Sequence, residues 1–122
     1  MNKLKLGVIG VGSVVREIYQ YLYFNSHYSE NLEIIAVADP NKEYRNWFCD
    51  KYHIKENFRY ESYEEMIIEC ELDAAHINTP DDLHLEPTLY CLNHGIDVQM
   101  PKPTSKKIKE VHLMIETAKK NN

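Results

Sequence analysis

Leu4-Lys5-Leu6-Gly7-Val8-Ile9-Gly10-Val11-Gly12, followed further on by Ile34-Ile35-Ala36-Val37-Ala38-Asp39, is the stretch that decides the fold. An apolar run ends in a glycine turn, a helical segment intervenes, and a second apolar run ends in an acid. That order reads as strand, turn, helix, strand, carboxylate, the layout of a dinucleotide-binding βαβ unit. Each residue type has a physical reason. Gly10 permits a tight turn off the strand. Gly12 lets the backbone approach a pyrophosphate with no Cβ in the way. The N–H groups that open the next helix then face the phosphates, helped by the helix dipole. Asp39 is placed to accept hydrogen bonds from both hydroxyls of an adenosine ribose. Its charge repels a 2′-phosphate, so NAD is expected over NADP.

The fingerprint is incomplete. Its third glycine falls on Val15, where close packing of helix on strand prefers Gly or Ala. Asp39 also lies somewhat farther along than the usual spacing of about 20 residues, and the polar loop over 25–31 accounts for the surplus.

The rest of the chain continues the alternation. Val14, Val15, Ile18 and Leu22 share a helical stripe, which Tyr19, Tyr21, Tyr23 and Phe24 widen towards a partner surface. Residues 41–53 read as a helix with Tyr44, Trp47 and Phe48 inward, and 57–60 as a short strand. Ser62 and Glu65 form a capping box. A strand over 72–78 carries His76, read as a satisfied core or edge histidine. Thr79-Pro80-Asp81-Asp82 leads into a helix over 84–94, with Pro87 in its first turn and Gly95 as its stop. A strand over 96–100 and the loop Pro101-Lys102-Pro103 come next. The final helix, 104–120, is expected to turn Ile108, Val111, Ile115 and Ala118 inward. Alternating strands and helices with short connections imply an α/β fold, a doubly wound parallel sheet in three layers. The marked loops then converge on the carboxyl ends of the strands, where such sheets bind ligands.

At 122 residues the chain is read as one domain. A net charge of −5 argues against a nucleic-acid partner. No apolar run is long enough to span a membrane, and no signal-peptide core follows Met1. Cys49, Cys70 and Cys91 are far apart and form no C-x-x-C pair, which suits a reducing cytoplasm, and no metal site is expected.

With these segments in order, the chain resembles the N-terminal domain of the Gfo/Idh/MocA oxidoreductases, NAD(P)-dependent dehydrogenases of sugars, inositols and related compounds. The resemblance runs from Leu4 to about Lys120. It is carried by Gly7 through Gly12, Ala36-Val37-Ala38-Asp39, Thr79-Pro80-Asp81-Asp82-Leu83-His84, Gly95-Ile96-Asp97-Val98 and Pro101-Lys102-Pro103. It implies that Gly10, Gly12, Ser13 and Val14 line the pyrophosphate, that Asp39 binds the adenosine ribose, and that Thr79 and Pro80 line the cofactor cleft. It places His84 beside the nicotinamide half. Lys102 matches a lysine that hydrogen-bonds the reacting hydroxyl and assists proton transfer, as alcohol oxidation requires. Two further departures accompany Val15: Pro101 stands where the family has glutamate, and Asp81 where asparagine is common.

In that family a further strand and a second α+β domain, which holds the substrate pocket, come after the last helix. The expectation is therefore a Rossmann domain over 1–122 with the substrate domain absent, able to bind NAD but not to turn over a sugar unaided. Two other readings stand beside it. One is a stand-alone, non-catalytic nucleotide-binding or sensing module. The other is a methyltransferase using S-adenosylmethionine, which also pairs a glycine turn with an acid. Uncovered apolar surface and the aromatic run Tyr19, Tyr21, Tyr23, Phe24 lead to an expectation of self-association.

Overall fold

Strand β1, Leu4–Ile9, has a parallel partner on each side, which is why its buried residues carry no charge. The computed structural model describes residues 3–13, 15–24, 30–80, 83–100 and 107–121. In it β1 pairs with β2, Leu32–Ala38, on one side and with β4, Ala74–Ile77, on the other. Strand β3, Arg59–Tyr60, lies outside β2, and β5, Asp97–Gln99, lies outside β4. The order is β3-β2-β1-β4-β5, with every pair parallel. The chain therefore winds outward from β1 in one direction, then returns and winds outward in the other. The reversal falls between β1 and β4, the switch point at which such sheets open a binding crevice.

Helices cover both faces. Leu6, Val8, Ile34 and Val37 turn towards α1 (Gln20–Phe24) and α2 (Lys42–Lys51), around Tyr23 and Phe48. Ile9, Ala36, Ala38, Ala75 and Ile77 turn towards α3 (Tyr63–Glu69) and α4 (Leu85–Asn93), around Met66 and Cys91. The last helix, α5 (Ile108–Lys120), packs on α4. The alternation within β2 is broken once. Leu6 pairs with Ile34 but Gly7 pairs with Ala36, so Ile35 is an extra residue in a bulge. A bulge inverts the facing of everything after it. It therefore sets the side on which Asp39 leaves the strand.

Several local expectations are corrected. The segment after the glycine turn is not α-helical throughout: Val15–Tyr19 is a π turn that continues into α1. Val15 is fully buried at the position where a smaller residue lets helix and strand approach, and the wider turn begins at that residue. The aromatic run is not a surface patch. Tyr23 is core, Tyr19 and Phe24 pack against it, and Phe24 stacks on Tyr52 with centroids 3.8 Å apart. Tyr21 alone of the four is exposed, so the run lends no support to self-association. On α5, Ile108 is 76% exposed and Ile115 47%, while Met114 is 5% exposed. The inward stripe is centred on Met114, with Val111 and Ala118 at its margins. The two isoleucines lie one above the other on a neighbouring ridge. Ser62 caps α3 by accepting from Glu65 N, but the acid that meets its hydroxyl is Glu64, at 3.0 Å.

The elements read as 57–60 and 84–94 are present with shifted ends. A 3₁₀ turn at Glu56–Phe58 precedes β3, and His84 stands at the N-cap position of α4. Cys49 and Cys91 are buried, Cys70 is half-buried, and all three are free. Among the described residues, no helix is long and apolar enough to cross a membrane, and no group of His, Cys, Asp and Glu could hold a metal ion.

Candidate functional site

A cleft of about 1080 Å³ lies across the carboxyl ends of the strands. Gly10, Gly12, Ser13, Asp39, Thr79 and Pro80 all line it, so the fold brings together residues from the ends of β1, β2 and β4. Val14 and Lys102, with Pro101, Asp81 and Asp82, lie outside the described residues.

The two glycines of the turn serve different ends. Gly10 has φ +91°, and a Cβ there would meet the Asn78 carbonyl carbon at 3.0 Å and Thr79 N at 3.1 Å. Both obstacles are backbone, so the protein itself requires glycine. Gly12 has neither constraint. A Cβ there would have Tyr44 Cε2 as its nearest neighbour, at an ordinary 3.8 Å. Nothing among the described residues excludes a side chain at this position. What a Cβ would fill is the cleft, and that is the room a pyrophosphate needs. The turn thus fits the dinucleotide that the motif implies.

Asp39 is 7% exposed. Its Oδ2 accepts from Val11 N at 2.8 Å, and its Oδ1 accepts from Asn41 N at 2.8 Å. The carboxylate thereby ties the glycine turn to the end of β2. It does not cap α2, because Asn41 does so, accepting from Tyr44 N at 3.0 Å. Arg45 holds the same corner by donating to the Asp39 carbonyl at 2.6 Å. Each carboxylate oxygen retains a second acceptor site for a ribose hydroxyl.

His84 is placed differently from the other candidates. It is fully buried, and its Nε2 donates to the Thr79 carbonyl at 2.9 Å. Thr88 in turn donates to the His84 carbonyl at 2.6 Å. His84 therefore stands behind the Thr79-Pro80 turn and shapes it, and is not part of the cleft wall.

One site residue is not singled out by the motifs. Asn78 directly follows β4, lines the cleft and is 8% exposed. Its Nδ2 donates to Tyr23 Oη at 3.2 Å, and Tyr23 donates to His76 Nδ1 at 2.6 Å. Burial holds the His76 imidazole down at about 4, so the ring is uncharged near neutrality. With Asn78 Nδ2 donating to Tyr23 Oη, the hydroxyl hydrogen is left for Nδ1, which corresponds to the Nε2–H tautomer. Burial likewise pushes the Tyr23 hydroxyl well above its usual range, so it keeps its proton. Asn78 Oδ1 is buried and has no partner among the described residues. An unpaired buried acceptor costs about 1–3 kcal/mol. The sequence does carry a signal for it: a lone amide ends an apolar strand immediately before Thr-Pro.

The described lining carries Asp39, Glu61, Glu64, Glu86 and Glu110 and no lysine or arginine.

A family model described as an oxidoreductase family with an NAD-binding Rossmann fold matches residues 4–122. The chain is 25% identical to D-glucoside 3-dehydrogenase of Escherichia coli, over 98% of its own length and 32% of the relative's. It is 32% identical to the NADP(+)-dependent scyllo-inositol 2-dehydrogenase IolU of Bacillus subtilis, over 75% and 27% respectively. Among solved structures, scyllo-inositol dehydrogenase of Lactobacillus casei, with NAD(H) and scyllo-inositol bound, superposes with a TM-score of 0.84 at 18% identity. That match covers 98% of this chain and 34% of the other. WlbA dehydrogenase of Chromobacterium violaceum, in complex with NADH and UDP-GlcNAcA, gives 0.88 at 19% identity, covering 99% and 33%. The chain spans about a third of the length of these relatives.

Proposed function

The chain belongs to the Gfo/Idh/MocA oxidoreductase family and carries its NAD-binding Rossmann fold; from that premise we propose that its cleft binds NAD in preference to NADP, for hydride transfer to or from a sugar, an inositol or a related hydroxy compound. The observation that carries this reading is the freedom of space at Gly12 beside Asp39, with Thr79 and Pro80 on the facing wall. Gly10, Gly12, Ser13 and Val14 line the pyrophosphate; the Gly10 N–H donates to the Ala38 carbonyl at 2.8 Å, so the backbone donors for it come from the residues after Gly10. Asp39 takes the adenosine ribose. Thr79 and Pro80 form the wall, and His84 keeps that wall in shape from behind.

When bound, the cofactor supplies the acceptor for hydride. The chain's own contribution is orientation and proton handling. Lys102 is assigned the hydroxyl of the reacting compound, where a cation stabilises the developing alkoxide and a neutral amine takes its proton. Pro101 brings no carboxylate at the position where the family has glutamate. The substrate itself is assigned to sequence of the kind that makes up the other two-thirds of the relatives. Three free thiols, two of them buried, support a reducing compartment such as the cytoplasm.

Calorimetry with NAD and NADP tests the reading. The chain is expected to bind NAD more tightly than NADP. In Asp39→Ala the ratio of the two affinities should fall by about tenfold. The ratio is the informative quantity, because Val11 N also loses its acceptor and a loosened turn weakens both ligands alike. No binding of either cofactor at millimolar concentration would remove the proposal.

A further inference from the structure

Resting on the dinucleotide reading of the cleft, we propose that Asn78 accepts a hydrogen bond from a hydroxyl of the second ribose, the one across the pyrophosphate from adenosine, and that Tyr23 and His76 are positioning residues that hold its amide in the accepting sense. The chain of hydrogen bonds sets that sense. Asn78 Nδ2 donates to Tyr23 Oη at 3.2 Å, which leaves the Tyr23 hydrogen for His76 Nδ1 at 2.6 Å, with the imidazole as its Nε2–H tautomer. The amide nitrogen is thereby turned inward, with one of its two N–H groups on Tyr23. The acceptor end, Oδ1, has no partner among the described residues. Tyr19 meets His76 edge-on, with ring centroids 4.6 Å apart, and packs against the imidazole.

Position selects the ligand group. Asn78 follows β4, whose neighbour β1 ends in the glycine turn, and a Cβ on Gly10 would sit 3.0 Å from the Asn78 carbonyl carbon. The two are direct neighbours across the switch point. Asp39 follows β2, on the opposite side of β1. A dinucleotide whose pyrophosphate lies at the turn and whose adenosine ribose lies at Asp39 therefore extends its other nucleoside over the end of β4. The first donors it presents beyond the phosphates are ribose hydroxyls. The carboxamide N–H groups lie a ring farther away.

The test is calorimetry on the full chain with three ligands: NAD, ADP-ribose, which has the second ribose but no nicotinamide, and ADP, which has neither. Asn78→Leu is expected to weaken NAD and ADP-ribose by about tenfold and to leave ADP within about twofold. Tyr23→Phe should give a smaller loss with the same ligand pattern. Should the leucine variant fail to fold, Asn78→Ala gives the same comparison. Equal weakening of all three ligands would show a merely structural role and overturn the proposal. A loss confined to NAD would move the acceptor to the carboxamide and overturn the ribose assignment. Unchanged binding in every variant would overturn it while leaving the cofactor reading intact. If the unmodified chain binds neither NAD nor ADP, the cofactor reading fails and takes this assignment with it.

Discussion

Gly10→Ala is expected to lower the melting temperature by about 10 °C, whereas Gly12→Ala should not lower it and should instead weaken NAD at least about tenfold. The two residues stand two positions apart in one turn, yet different forces act on them. At Gly10 an alanine must adopt φ +91° and press its Cβ to within 3.0–3.2 Å of the backbone of Asn78 and Thr79. Holding a non-glycine residue in such a conformation costs about 1–3 kcal/mol. Backbone neighbours cannot swing aside as a side chain can, so the crowding adds to that strain. At Gly12 the nearest atom to the new methyl is 3.8 Å away, and no such φ is imposed. Alanine also restricts the unfolded chain, which can raise stability by about 0.4–1 kcal/mol. The methyl projects where a pyrophosphate would lie, so its cost falls on binding. Thermal melts of both variants, with and without NAD, separate the effects. Equal loss of stability in the two would show that the space at Gly12 has a structural purpose.

Replacing His76 should remove about 2–3 kcal/mol of acid sensitivity between pH 7 and pH 4. The folded protein holds this imidazole at about 4, by burial, against an ordinary value of 6.5. Below 6.5 the unfolded chain takes up a proton that the folded chain refuses until about 4. Protons therefore pull towards the unfolded state throughout that interval. The contribution is fully present above 6.5, is lost as the pH falls, and levels off below 4. His76→Gln keeps a polar partner for Tyr23 and cannot titrate. Carboxylates also lose stabilising contacts in acid, but they do so in both proteins and cancel in the difference. Denaturant titrations of the two proteins at a series of pH values measure that difference. A difference that stays flat across the interval would show that the imidazole is not held neutral.

The topology and the cofactor corner were both legible in the residues, because each rests on short-range chemistry. Parallel strands buried on both faces need apolar runs, and Leu4–Ile9 and Leu32–Ala38 supply them. A turn at the end of β1 needs a residue free of Cβ, and Gly10 supplies it. The helical segment beyond that turn was less legible. The stripe through Val14, Val15, Ile18 and Leu22 has helical spacing, but spacing does not distinguish an α turn from the π turn that starts at Val15. The aromatic run looked like surplus surface because no neighbour in sequence offers it a partner. Phe48, Tyr52 and His76, far away along the chain, are that partner.

The amino-acid order alone determined the alternation of elements, the glycine turn, the acid that ends the second strand and the family resemblance, since all of these depend on residue type and near-neighbour spacing. The tertiary structure decided which functional side chains reach the cleft. The bulge at Ile35 shifts the facing of β2 ahead of Asp39, and only strand pairing reveals it. His84 belongs to the loop motif but is drawn beneath it by its bond to Thr79. Asn78 is an ordinary strand-end amide until Tyr23 and His76 close on it from two other elements and leave its acceptor without a partner among the described residues. Burial and hydrogen-bond satisfaction are sums over neighbours distant in the chain, so they exist only once the sheet and its helices have assembled.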